Sequence, residues 1–308
     1  ETAANGPAER ARLSAVRVPY FSGHVRRDQR MAESFRQETS TPQSVLRSTA
    51  ESLDHWETVR IWGLPLARLG LRQTVDAVGL LVERRRPSLF ITANLQYAML
   101  SSHDPRLAAV NRTAAFLVAD GMPMVWYSRL VGRPLPERVA GSDLIYALCH
   151  RAAQRGHRVF FLGGQPGAAA DAATTLSWMY PGLQVAGVEA PQLDSFSPEE
   201  HRALAGRIRD ARPDVLFAAL GQPKGELWLA QYLDALEVPA CVQVGASFDF
   251  VAGRAARAPR WMQRIGLEWL HRLIGDPRRL GPRYAKNAWF LAKAVIGDVA
   301  AWASGRRP

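Results

Sequence analysis

Asp120-Gly121 closes the apolar run AAFLVA. A carboxylate in that place can act as a general base on a substrate hydroxyl, or it can cap the helix expected to start near Met122. Four more apolar runs end in a similar way. SLFITA carries Thr92 near its end and Asn94 just beyond. RVFFLGG runs into GGQPG, which contains Gly163, Gly164, Gln165 and Pro166. DVLFAAL is followed by GQPKGE, with Gly221, Gln222, Lys224 and Glu226. ACVQVG ends on Gly245 and leads to Asp249 in SFDF. Such groups fit a phosphate or a sugar. Glycines let backbone N–H groups approach an anion, a following helix N-terminus attracts it, and Lys224 offers a point charge. Each has a plainer reading too. GGQPG also serves as a tight turn into a helix, and Lys224 as a solvated lysine at a helix start. Asp249 lies between two phenylalanines, where burial raises a carboxyl pKa or forces hydrogen bonds; the plainer reading is an aspartate satisfied by backbone amides.

Other chemistries find little support. GGQPG is not G-x-G-x-x-G and has no matched acidic residue after it, which argues against a nicotinamide-dependent dehydrogenase. No D-x-D occurs, and no His/Cys set has zinc spacing, so no metal and no cofactor are expected. Phosphate charge must then fall to arginines.

These residues need a scaffold. From Val59 to Gly245, short apolar runs alternate with helical patterns near 73–85, 95–112, 142–155, 166–179, 198–211 and 223–236. That alternation predicts an α/β fold: a doubly wound, mostly parallel, Rossmann-like sheet. Ligands in such sheets bind beyond the carboxyl ends of the strands, where the polar groups above fall. Residues 1–55 are polar and poorly periodic and are expected to be a disordered extension. Residues 56–252 form the α/β core, and 253–308 a basic, amphipathic helical appendage.

The net charge is +11, and residues 253–287 hold nine Lys/Arg against two Asp/Glu, so most of it is concentrated there. In RWMQRIGLEWLHR, written as one helix, Arg260, Arg264, Glu268 and Arg272 follow at i, i+4, beside Trp261, Ile265, Trp269 and Leu273. Glu268 should then pair with Arg264 and Arg272. Asp276-Pro277 is a helix start. The last apolar segment, interrupted by Lys293 and Asp298, either lies on a membrane or docks on the core. A basic, aromatic stripe also fits nucleic acid, but nucleic-acid binding leaves the strand-end groups unexplained. No membrane-spanning run and no signal peptide are expected, and two cysteines fit a reducing cytoplasm.

Taken together, TANLQYAM, VADGMPMVW, GRPLPERVAGSDL, FFLGGQPG, ARPDVLFAALGQPKGELW, VGASFDFVAGRAARAPRWMQRIGLEWLHRL and DPRRLGPRY resemble the WecG/TagA/CpsF family of bacterial glycosyltransferases, over about residues 58 to 287. The resemblance implies a metal-independent, inverting hexosyl transfer from a UDP-sugar to a polyprenyl-diphosphate glycolipid in the cytoplasmic leaflet. The products feed exopolysaccharide, common antigen or teichoic acid synthesis. It also implies a peripheral enzyme that self-associates and is held at the anionic inner membrane face by its appendage. Asp120 matches the base, Thr92 and Asn94 the pair near the donor sugar. Gly163 to Pro166, Gly245 and Asp249 match the nucleotide pocket. Arg272 and Arg279 match arginines that reach the leaving diphosphate. Two positions depart from the family pattern. Gly225 stands where a glutamine is usual, with Gln222 nearby, and Pro282 stands where an arginine is usual, with Arg283 beside it.

Overall fold

A computed structural model describes residues 56–303; the N-terminal extension expected at 1–55 lies outside them. Eight strands form one sheet. They are β1 (Thr58–Ile61), β2 (Leu64–Ala67), β3 (Leu89–Ala93), β4 (Phe116–Ala119), β5 (Arg158–Gly163), β6 (Gln184–Glu189), β7 (Val215–Ala219) and β8 (Ala240–Gln243). Their order is β1-β2-β4-β3-β8-β7-β5-β6, and every pairing except β1 with β2 is parallel. The central strands are largely apolar and buried, apart from exposed Arg158 at the start of β5 and the buried polar Thr92 and Gln243 near the carboxyl ends of β3 and β8, as expected of strands covered on both faces. The expected α/β class is therefore the observed one.

Two layers of helix cover the sheet. α1 (Leu71–Arg84), α5 (Gly141–Arg155), α6 (Ala168–Met179) and α9 (Ser247–Val251) pack along one face. α2 (Leu95–Ser101), α3 (Pro105–Thr113), α7 (Pro198–Asp210) and α8 (Lys224–Leu236) pack along the other. On this second face Tyr97, Leu107, Leu204, Ile208, Trp228 and Leu229 meet Ile91, Phe160, Leu216 and Cys241 of the strands. α4 (Met122–Leu130) follows β4 and adds Met124, Val125 and Tyr127 to that core.

Several local expectations need correction. The helix expected over 95–112 is two helices. Asp104 caps the second, its carboxylate accepting the Arg106 N–H at 2.9 Å, and Pro105 cannot continue the first. The run VRIWG is only half of a hairpin, and LPLA returns as β2. The stretch 260–272 is not one helix. It divides into α10 (Arg260–Arg264) and α11 (Glu268–Gly275), separated by Gly266 at φ +72°. A Cβ at Gly266 would also lie 2.6 Å from Cβ of Met122 on α4, so glycine is required there by both conformation and space.

The last helix, α12 (Pro277–Ala303), starts as expected at Asp276-Pro277, with the Asp276 carboxylate accepting the Arg279 N–H at 3.3 Å. Of the two readings open for this segment, the structure shows it docked on the core. Leu280 and Asn287 are buried, Phe290 meets Trp62 edge to face, Val295 joins the core, and the Tyr127 hydroxyl donates to Asp298. The opposite side stays open, with Trp289 66% and Ile296 68% exposed.

Candidate active site

The strand order reverses direction around β3 and β8. From β3 the chain moves outward to β4, then crosses to β5 on the far side of β8 and β7. A crevice beyond the carboxyl ends is expected at such a reversal. Thr92, Asn94, Asp120, Gln243 and Gly245 all lie at these strand ends.

The hub is Gly141, the first residue of α5. Its N–H faces the Asp120 carboxylate and favours its ionised form. A Cβ at Gly141 would lie 3.6 Å from the Thr92 hydroxyl oxygen and 3.4 Å from the Val244 backbone, so the absence of a side chain lets β3, β8 and α5 close on one point. The Thr92 hydroxyl donates to the Gln243 carbonyl at 3.2 Å. Asn94 caps α2, accepting the Tyr97 N–H at 3.0 Å, and its backbone is against Gly121. Asp120 is not the cap of α4, since Gly121 holds that place; its own N–H donates to the Ala93 carbonyl at 2.7 Å.

Asp120 is therefore a half-buried carboxylate at a helix N-terminus. Burial pushes its pKa up to about 7. The Arg138 guanidinium opposes this, Glu268 adds repulsion, the Gly141 N–H opposes again, and Asp143 adds a little more. A base with that affinity releases its proton near neutrality, where a hydroxyl has to be deprotonated.

Beside Asp120 lies a closed circuit of charge. Arg138 donates to Glu268 at 2.8 Å and to Asp143 at 3.4 Å. Arg257 donates to Asp143 at 2.7 Å, and its Nε is 3.7 Å from Glu268. All four side chains are largely buried, between 15% and 22% exposed. Glu268 thus pairs with Arg138 and Arg257, correcting its expected partners Arg264 and Arg272. Sequence reading missed Arg138, Asp143 and Arg257. They lie inside GRPLPERVAGSDL and GRAARAPR, but nothing local marks a pair 130 residues apart.

The remaining expected residues fall in three groups. In GGQPG, Gly163 and Gly164 have φ of +90° and +83°, and Gln165 and Pro166 are exposed. Arg254 lies across this turn, donating to the Pro166 carbonyl at 2.6 Å and to Asp171 at 2.7 and 3.0 Å. Asp249 is half-buried on α9, and Gly245 is exposed at the rim. In GQPKGE, Lys224 holds Asp194 at 2.8 Å through both carboxylate oxygens. Glu226 is buried, with its pKa raised to about 7 by burial, and one of its oxygens lacks a hydrogen-bond partner, as does Oε1 of Gln222. The glycine at 225 has a physical counterpart. A Cβ there would lie 2.6 Å from the Gln243 amide, which occupies that space and accepts the Leu220 N–H at 3.2 Å.

Arg272 stacks over Phe250 of α9, 5.7 Å from the ring centroid, which ties α11 to the rim. Arg279 pairs with Asp276 at 2.5 Å. Arg283 is an exposed residue whose guanidinium holds its proton less tightly than usual, through partial burial and the nearby charges of Arg272 and Arg279. The charges of Arg272 and Arg279 thus reach Arg283, while Arg279 itself is paired with Asp276. Trp261 and Trp269 are 61% and 41% exposed on the same appendage. Among the described residues, no three His, Cys, Asp or Glu side chains group as a metal-ligand set, and no helix is long and apolar enough to cross a membrane.

The structure thus combines a doubly wound sheet with a half-buried carboxylate at the strand reversal and arginines on the appendage. Residues 59–303 match the glycosyl transferase WecG/TagA/CpsF family, and the chain belongs to that family and is a glycosyltransferase. It is 33% identical over 198 residues to an N-acetylglucosaminyldiphosphoundecaprenol N-acetyl-beta-D-mannosaminyltransferase of Bacillus spizizenii, covering 64% of this chain and 75% of that one. It is 29% identical over 224 residues to the enzyme of the same name in Bacillus subtilis, covering 72% and 86%.

Proposed function

We propose that this chain moves a sugar, with inversion and without a metal, from a UDP-sugar to a polyprenyl-diphosphate-linked sugar during bacterial surface polysaccharide synthesis. The observation that carries the reading is Asp120, half-buried at the strand reversal, facing the Gly141 N–H and poised near neutrality. Its carboxylate takes the proton of the acceptor hydroxyl. The freed oxygen bonds to the anomeric carbon, and the bond from that carbon to phosphate oxygen breaks, its electron pair leaving with UDP. The departing diphosphate needs about two charges neutralised, and Arg272 and Arg279, with Arg283 beside them, supply guanidiniums for it. Thr92 and Asn94 border the donor sugar. GGQPG, Gly221, Gln222, Lys224, Glu226, Gly245 and Asp249 line the nucleotide side. The names of the two Bacillus relatives support a diphosphoundecaprenol-linked acceptor. The exposed tryptophans beside arginines support seating on the anionic, cytoplasmic face of the membrane.

The test is a panel of UDP-sugars against short-chain polyprenyl-diphosphate sugars, with EDTA present and products read by mass spectrometry. One donor should give a product heavier by one glycosyl residue. No product from any pair, or product only after Mg²⁺ or Mn²⁺ is restored, overturns the reading.

A further inference from the structure

Glu268 belongs to the appendage, yet its carboxylate faces the core. It is the first residue of α11, two residues beyond the Gly266 break, and the break is what aims it. Gly266 seats on Met122 and Trp126 of α4, so α11 leaves at a new angle and Glu268 points to Arg138 rather than along a continuous helix. The contact closes the circuit Arg138–Glu268–Arg257–Asp143, with two guanidiniums alternating with two carboxylates. Two members, Arg138 and Asp143, come from the core. Two, Arg257 and Glu268, come from residues after 252.

We propose that Glu268 is a positioning residue for the transfer step: it holds the Arg138 guanidinium away from Asp120, so that the base is competent only while α11 is seated on the core. This rests on the reading of Asp120 as the base.

Arg138 is close enough to Asp120 for their charges to act on each other, yet it makes its ion pairs with Glu268 and Asp143. Its bond to Asp143 is long, at 3.4 Å, and Asp143 is already held by Arg257 at 2.7 Å. Removing the charge of Glu268 leaves Arg138 buried with half a partner. An incompletely paired guanidinium in a low-dielectric site is costly and turns to the carboxylates left around it, Asp143, which Arg257 already holds, and Asp120. An aspartate paired with arginine ionises about one to three pH units lower and is a weaker base. Glu268 also repels the Asp120 carboxylate directly, and losing it acts in the same direction. The other groups facing Asp120 are the Gly141 N–H and Asp143 of α5, with Arg257 one contact behind. None of them changes in the substitution.

The experiment is Glu268→Gln in the full chain, with transfer to a detergent-soluble, short-chain acceptor followed from pH 5 to 9. Melting temperature and tryptophan emission check that α11 remains docked. In the native enzyme kcat should rise through about pH 7 as Asp120 loses its proton. In Glu268→Gln that rise should move about one pH unit or more to lower pH, with the plateau lowered at least tenfold and the donor KM changed little. Glu268→Asp keeps the charge and should restore most of the native profile. A plateau lowered with the rise unmoved would make Glu268 a structural contact and overturn the proposal, as would native turnover in Glu268→Gln. If Glu268→Gln does not fold, Glu268→Asp decides: a native pH profile supports the proposal, and a rise at native pH with the plateau lost overturns it. Failure of the underlying reading looks different, because Asp120→Asn would then keep native turnover.

Discussion

Replacing Asp120 with asparagine should make the protein more stable and nearly inactive, with the gain in stability depending on pH. The carboxyl of Asp120 is pushed from 3.8 up to about 7, a difference of about three units. Each unit is 1.36 kcal/mol, so ionising this group in the folded state costs about 4 kcal/mol more than in the unfolded chain. The sign follows from proton binding. The folded state holds the proton more tightly, so stability falls as pH rises from about 4 to about 7, then levels. Asparagine has no proton to lose. The variant should match the native protein near pH 4 and exceed it by about 2–4 kcal/mol at pH 8, the lower figure allowing for water entering beside the ionised group. Transfer should fall by about a hundredfold or more, the usual worth of a general base. Urea unfolding at pH 4.5, 6 and 8 on both proteins reads the first effect. Glu226, also raised to about 7, contributes the same slope to both and cancels. A stability difference that does not change with pH, or that turns against the variant as pH rises, refutes the electrostatic reasoning. Unchanged turnover removes Asp120 from the chemistry.

Gly225→Gln should destabilise the chain by about 1–3 kcal/mol, because its side chain enters the space of the Gln243 amide; the paired change Gly225→Gln with Gln243→Gly should recover most of that loss, as urea midpoints will show. Arg272→Ala should lower transfer to a soluble acceptor at least tenfold and leave co-sedimentation with anionic vesicles nearly intact, while Trp261→Ala with Trp269→Ala should do the reverse; equal losses in both assays from either variant would merge the two roles.

Much of this was legible before any coordinates, and the limits have physical causes. Apolar runs buried on both faces announce parallel strands, so the sheet and its polar rim could be read from residues 59–245. The strand-end places of Asp120, Thr92 and Asn94 could be read in the same way. The hairpin strand LPLA was hidden because four residues with a proline carry almost no periodicity. The breaks at Asp104-Pro105 and Gly266 were written in the residues, but helical spacing on both sides masked them. The reading of Glu268 failed for a different reason. Spacing along a helix reports only i±3 and i±4 neighbours, and with Gly266 bending the chain the strongest partner of Glu268 is Arg138. Long-range ion pairs have no local signature, so the circuit beside Asp120 had to be seen in three dimensions.

The most direct measurement is the configuration of the new glycosidic bond. With the UDP-sugar identified by the donor panel and a short-chain polyprenyl-diphosphate sugar, the product's anomeric proton coupling can be read by NMR and compared with that of the donor. Direct displacement with Asp120 as base requires inversion at the anomeric carbon, because the acceptor oxygen attacks from the face opposite the departing diphosphate. An inverted linkage from the native chain, with no glycosylated protein detectable by mass spectrometry during turnover, is the expected result. A retained configuration, or a sugar found covalently attached to Asp120, would contradict it.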